Sequence, residues 1–410
     1  MIKEKYIDTI KSRVDISQLV MDLCPGTSLL NAGKNRKKCC CVFHSEKTPS
    51  LMLDLSLNMF KCFGCGKGGD IISFVQELKG FDFVEAVKFL LKTYCPDVDT
   101  SDLYSKQTDE EIEAEHHKES LFICNKFAYD FFRQQYEADC EESARCRLYA
   151  EDRWEREFCK TLGLGYAPLK GNQFLAFARK QGLKTELLLE LGFIAQEENH
   201  PDHYYDFYRG RLMIPQRDRY GRIVTFTARS LNPQATNKYL NGKDSPIYKK
   251  SLSIFGIDVA LKAARQSGKV YLVEGAPDVM RLQSLGIPNV VASLGGAWSK
   301  EQLNTFSRFG CSLCFIPDAD VPKEGERFGK GEQFVFKNGR LATELGFQVS
   351  VREIPTDGKV KQDADSYITS MDQWETLTEK DFILWYADKH YDLAGTNDDQ
   401  LKTISEVCDL

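Results

Sequence analysis

A chain of 410 residues, 42% of them apolar, is long enough for two to four domains with separate cores. No apolar run approaches the roughly 18 residues of a membrane span, and the opening MIKEKYIDTIKS is too polar for a secretory signal, so a cytoplasmic protein with no membrane partner is expected. The net charge of −6 hides a segregation: residues 204–265 carry 12 Lys and Arg against 4 Asp and Glu, and residues 1–96 carry 14 against 10, whereas 97–160 carry 9 against 18 and 371–410 carry 3 against 10.

Basic segments with acidic flanks suit a polyanion-binding groove. The 14 cysteines, in a reducing compartment, point to metal where clustered and to small buried side chains where scattered. Residues 1–23 have helical periodicity, with Asp15 as a cap. Next comes Cys41-x2-His44, a gap of 17 residues, and Cys62-x2-Cys65. Each x2 pair presents two ligands on one tight turn, and the gap is long enough for a hairpin, which predicts a closed Cys3His zinc site of structural type. Cys39 and Cys40 compete with Cys41, but only Cys41 has the x2 spacing to His44. Gly66 to Asp70 lacks a Walker ending and reads as a turn into helices over 71–78 and 83–94.

Residues 97–118 are polar and acidic and read as a linker, with His116 and His117 solvated. Amphipathic helices are expected over 119–138, 143–153, 155–161, 172–181 and 185–191, with 163–168 a turn. Alternation over 211–216 and 222–229 around Asp218 to Gly221 predicts a β-hairpin. A basic, polar stretch follows, including Asn237-Lys238-Tyr239-Leu240-Asn241 and Lys249-Lys250, residue types that contact phosphate and sugar.

Residues 257–367 read as one α/β unit. Apolar runs at 270–273 and 313–316 have the look of buried parallel strands, and they end on Glu274, with Asp278 four residues on, and on Asp318-Ala319-Asp320. Ligands of open α/β sheets sit past such strand ends, and converging carboxylates are usually offset by a divalent cation. Helices are expected at 277–285, 299–309 and 332–345, and strands at 290–292 and 347–353. Asp363 and Asp365 form a third acidic pair. Cys311-x2-Cys314 lies on an apolar strand without a second pair and reads as buried thiols. The acidic last 40 residues are expected to be helical.

These motifs resemble the bacterial DnaG-type DNA primases through most of residues 1–370. HSEKTPS and CFGCGKGGDIISF look like the CHC2 zinc ribbon; RGRLMIP, NKYLN and VEGAPDV look like the RNA-polymerase domain; and the two acid-tipped strands look like its Toprim fold. The resemblance implies a multidomain α+β protein. It would comprise a zinc-binding domain (1–96), an acidic linker (97–118), a mixed α/β basic subdomain (119–256), a Rossmann-like Toprim subdomain (257–370) and a short helical tail (371–410). It also implies roles. Glu274, Asp318 and Asp320 would hold catalytic Mg2+ or Mn2+, with Asp278, Asp363 and Asp365 completing the acidic cluster. Arg153, Arg229, Lys238, Asn241 and Lys250, together with Arg211 and Tyr239, would form the groove for nucleotide and nucleic acid. The implied partners are single-stranded DNA template, ribonucleoside triphosphates, the RNA primer and a replicative helicase. The implied activity is primer synthesis; a Toprim nuclease and a non-catalytic single-strand-binding module are the rivals. Ala276-Pro277, Gly295-Gly296-Ala297, Val42, Trp154 and the long charged loop after Asp320 depart from the family pattern and point to a divergent branch, of the kind that mobile elements and phages carry.

Overall fold

The computed structural model describes residues 2–103, 109–307, 310–356 and 360–391. They form two compact units that divide at Ala114. In the first, α1 (Glu4–Arg13) and α2 (Ile16–Leu23) split the predicted helix at Val14-Asp15. The break has a local cause: the Asp15 carboxylate accepts from the amides of Ser17 and Gln18 and starts α2. An antiparallel sheet of five strands follows: β1 (Leu30–Asn31), β2 (Arg36–Cys39), β3 (Leu51–Asp54), β4 (Met59–Cys62) and β5 (Gly68–Asp70). The last of these is a strand where a turn was expected. Asp70 then caps α3 (Ile71–Lys79), and α4 (Phe83–Tyr94) starts in a capping box of Asp82 and Glu85. Leu51, Leu53, Phe60 and Cys62 alternate inward from β3 and β4 onto Ile71, Phe74 and Val87.

The acidic stretch read as a linker is helical from Asp109. It continues as α5 (Asp109–Glu137), since its Glu-rich sequence is a good helix former and carries no breaker before Leu121. His117 meets Glu190 at 2.9 Å, while His116 is exposed.

In the second unit come α6 (Glu141–Arg153), α7 (Arg156–Leu162), β6 (Gly165–Ala167), α8 (Gln173–Lys180), α9 (Thr185–Glu190) and a hairpin of β7 (Ile194–Glu197) and β8 (His200–Asp206). The middle of the expected turn at 163–168 is therefore the strand β6. The predicted hairpin is present as β9 (Arg211–Arg217) and β10 (Ile223–Ser230). The sheet they build has the order β11-β10-β9-β6, with β11 (Tyr239–Asn241) paired to β10 so that Arg229 lies opposite Tyr239.

A second sheet has the order β13-β12-β14-β15-β16. Its strands are β12 (Lys269–Val273), β13 (Val290–Ala292), β14 (Ser312–Phe315), β15 (Val349–Arg352) and β16 (Glu379–Asp381); the first four run parallel and β16 antiparallel. Its helices are α10 (Ile257–Ser267), α11 (Ala276–Ser284), α12 (Lys300–Ser307), α13 (Lys330–Glu344), α14 (Ala364–Tyr367), α15 (Met371–Thr376) and α16 (Phe382–Tyr391). Cys311 and Cys314 are buried here, as expected. The tail is helical as expected in α15 and α16, and up to Tyr391 it belongs to this domain. β16 completes the sheet, and Phe382, Trp385 and Tyr386 of α16 share a core with Leu313 and Phe334. Residues 392–410 lie outside the described residues. From β12 the chain moves to β13 on one side and then returns to β14 on the other. This is a topological switch point, where the loops leaving β12 and β14 diverge and open a crevice at their C-terminal ends. Among the described residues no helix is long and apolar enough to cross a membrane.

Candidate active site and metal centres

The first unit gathers one donor set. The sulfurs of Cys41, Cys62 and Cys65 and a ring nitrogen of His44 all lie within 4.8 Å of one another. Each turn is held by an amide aimed at its first sulfur: Phe43 N to Cys41 Sγ and Cys65 N to Cys62 Sγ, both at 3.3 Å. His44 turns Nδ1 toward Cys62 Sγ, at 3.9 Å, and Nε2 toward Glu46, at 3.2 Å. The second oxygen of Glu46 accepts from the amides of Cys41 and Ser50. Burial opposes ionisation of Cys62, yet the Cys65 amide and the Ser50 hydroxyl draw its thiol down to about 7. Cys39, in contrast, faces the core from β2, and Cys40 is exposed. Three soft sulfurs and an imidazole in a closed cluster fit a structural zinc ion. Because a carboxylate behind the histidine fixes its tautomer, Glu46→Ala is expected to weaken zinc about 10- to 100-fold, read by competition with a chromogenic chelator.

In the second unit, Glu274 leaves β12 while Asp318 and Asp320 follow β14, and their oxygens lie within 4.8 Å of one another. Register explains this, since Leu272 pairs with Phe315 on the neighbouring strand. The Asp318 amide donates to Glu274 at 3.4 Å, and the Gly331 amide, in the first turn of α13, donates to Asp320 at 2.9 Å. A Cβ on Gly331 would stand 2.0 Å from the Asp318 carbonyl, so only glycine lets α13 approach this loop. Burial, then the charge of Asp318, pushes Glu274 up to about 7; burial also raises Asp318. Hard oxygen donors whose charge is held back by burial suit a hard divalent cation.

The other predicted acids lie outside this 4.8 Å cluster, though burial, then the charges of Asp318 and Asp363, raise Asp278 well above the usual carboxylate range. Asp278 is buried, with its oxygens accepting from the amides of Gly275 and Asp365. Asp363 spends an oxygen capping α14 through Ser366 N. Asp365 is turned inward, with its side chain 1% exposed, onto Arg153 and Arg281.

A cavity of about 280 Å3 adjoins the triad. It is lined by Glu274, Asp278, Asp318 and Asp363 on the acidic side and by Arg153, Tyr239 and Asn241 on the other. Arg229 sits behind Tyr239, its guanidinium 4.9 Å from that ring and its Nε donating to Tyr149 Oη at 3.0 Å. Arg153 donates to the same hydroxyl at 3.2 Å. Asn241 accepts from Thr227, which in turn accepts from buried Gln216. Lys238 and Lys250 are exposed and outside the lining. Arg211 is bound to the carbonyls of Ala228, Asn237 and Lys238, so its guanidinium holds the turn before β11. Three contributors were missed. Tyr149 joins two arginines, and Arg281 holds Asp365. Lys361 bonds Asp318 and Asp320 at 2.7 and 2.9 Å. The only sequence signal for Lys361 was its place two residues before Asp363.

A parallel sheet ending in a carboxylate triad defines a Toprim-like domain, and residues 271–368 match the family model of that description. Residues 2–106 match the CHC2 zinc finger, and residues 100–261 match the N-terminal domain of the DNA primase catalytic core. The DNA primase of Clostridium acetobutylicum is 31% identical over 370 residues, 90% of this chain and 57% of the relative. The zinc-binding and RNA polymerase domains of the Aquifex aeolicus primase superpose with a TM-score of 0.57 at 25% identity, covering 98% of this chain and 96% of that one. The DnaG primase catalytic domain bound to single-stranded DNA shares the fold of the polymerase part, with a TM-score of 0.58 at 20% identity over 71% of this chain and 92% of that one. With the three family domains present in order, the chain belongs to the DnaG-type primases. It spans somewhat over half the length of the curated relative it matches.

Proposed function

We propose that this chain is a DNA primase that joins ribonucleotides into short RNA primers on single-stranded DNA. The observation that carries this reading is one cavity lined by two members of the triad, Glu274 and Asp318, together with Arg153, Tyr239 and Asn241. A triphosphate needs cationic and donor groups along its phosphates and anionic ligands for the metal that accompanies it. The divalent ion, Mg2+ or Mn2+, supplies when bound the charge that acidifies the primer 3′-hydroxyl and neutralises the phosphates. The hydroxyl, giving its proton to water, would bond to the α-phosphorus as the bond to the departing pyrophosphate breaks. Arg153 and Arg229, set by Tyr149, hold phosphate oxygens, and Asn241, its carbonyl committed to Thr227, offers its amide. Tyr239 stacks on base or sugar, while Lys238 and Lys250 reach the nucleic-acid backbone. The zinc ribbon engages template and helps select start sites. Such a protein works in the cytoplasm beside a replicative helicase.

The test is incorporation of labelled ribonucleotides on single-stranded DNA with Mg2+ or Mn2+. Short, template-dependent RNA is expected. Strand cleavage without incorporation would make the chain a nuclease. Salt-sensitive binding with neither reaction would make it a binding module.

A further inference from the structure

Lys361 is a cation in direct contact with the triad that the proposed reaction leaves without a task. Its Nζ lies 2.7 Å from Asp318 Oδ2 and 2.9 Å from Asp320 Oδ1. The position is built into the backbone. Gln362, the next residue, exchanges both hydrogen bonds with Ala319, the residue between the two aspartates: Ala319 N to Gln362 O at 2.8 Å and Gln362 N to Ala319 O at 3.1 Å. This two-residue bridge pins the loop before Asp363 onto the loop after β14. The two aspartates are 11% exposed, so their charges require a counterion. The Lys361 side chain is 54% exposed and can withdraw into water without opening the core.

A divalent ion bound to Asp318 would lie about 2.1 Å from a carboxylate oxygen and hence within about 5 Å of the ammonium as it now sits. The same oxygens cannot serve both at full strength.

We propose that Lys361 is a tethered counter-cation of the triad: it holds Asp318 and Asp320 together when no metal is bound, and the incoming divalent ion displaces it. This rests on the metal-binding role given to the triad above. Two consequences follow. The metal-free protein is protected from carboxylate repulsion, and metal affinity is set weaker than three carboxylates alone would give.

The experiment is calorimetric titration of Mn2+ into the full, zinc-loaded chain, with Lys361→Gln and Lys361→Arg beside the wild type and thermal melts at zero and saturating Mn2+. Lys361→Gln is expected to bind Mn2+ about tenfold tighter, the effect of removing one competing positive charge at close range. It should melt below wild type without Mn2+ and regain parity with it. Lys361→Arg should keep the wild-type affinity to within a few-fold. Adding Asp318→Asn to Lys361→Gln should remove the tight site and so place it at the triad. Equal or weaker Mn2+ binding by Lys361→Gln would overturn the counter-cation role while leaving the triad as a metal site. No Mn2+ binding by any of these proteins would overturn the metal reading itself and the inference with it.

Discussion

Glu274→Gln is expected to lower primer synthesis by about 10³-fold, the rate equivalent of about 4 kcal/mol of lost metal-mediated charge stabilisation, while binding of single-stranded DNA persists. Gln keeps the shape and hydrogen-bonding capacity of the side chain but removes the anion from a cluster of three. The same change is expected to stabilise the fold in the absence of divalent ions. Burial and Asp318 raise the Glu274 pKa from 4.5 to about 7. A carboxyl raised in this way supports the folded state in full below its unfolded value. That support is lost as pH rises through about 7. Wild-type protein without Mg2+ should therefore lose stability across this window relative to Glu274→Gln, so that the variant melts higher at pH 8 and the gap narrows at pH 5.5. Saturating Mg2+ should reverse the order at pH 8, because only the wild type gains binding free energy. Paired assays of synthesis and melting check both halves. A variant that still makes primers at the wild-type rate would remove Glu274 from the metal site.

What could be read from sequence, and what could not, divides by how local each feature is. The four donors of the first unit come from two tight turns, so spacing alone picks out Cys41, His44, Cys62 and Cys65, and these are the four that converge. Glu274, Asp318 and Asp320 are legible because apolar runs end on them and neighbouring parallel strands carry them to one place. The family resemblance, not the spacing, set these three apart as metal holders from Asp278, Asp363 and Asp365. The commitments of the other three are made by groups distant in the chain or by helix caps: backbone amides for Asp278, Ser366 for Asp363 and two arginines for Asp365. A lysine among acids reads as solvated until Gln362 is seen to bridge to Ala319. The missed strands are equally instructive. β6 has three residues, all buried, and β16 three residues, all exposed, so neither shows an alternation. At 109–118 a dense acidic run looks like a linker, yet its helix propensity and its continuity with the buried face of α5 decide the outcome.

Asp365→Ala should produce the largest loss of stability of any single change at the site, about 3–5 kcal/mol, the usual cost of removing one partner from a buried ion pair. The Asp365 side chain is 1% exposed and lies between two guanidinium groups, Arg153 and Arg281, whose side chains are 31% and 15% exposed. Arg281 also donates to the Asp365 carbonyl at 3.0 Å. Removing the carboxylate leaves two partly buried cations facing each other without a counterion. Asp365→Asn should cost less, about 1–3 kcal/mol, because the amide fills the same space and can still accept a hydrogen bond. Urea denaturation of the second unit's transition measures both. The activity should change in a different way from that of Glu274→Gln. Asp365 does not touch the triad, but it fixes Arg153, which shares the Tyr149 hydroxyl with Arg229 and lines the cavity. At temperatures where Asp365→Asn stays folded, the KM for ribonucleotides should rise several-fold with a smaller change in kcat, the pattern of a lost ground-state contact. If kcat fell alone and KM stayed constant, Asp365 would belong with the metal ligands, and its pairing with Arg153 would be secondary.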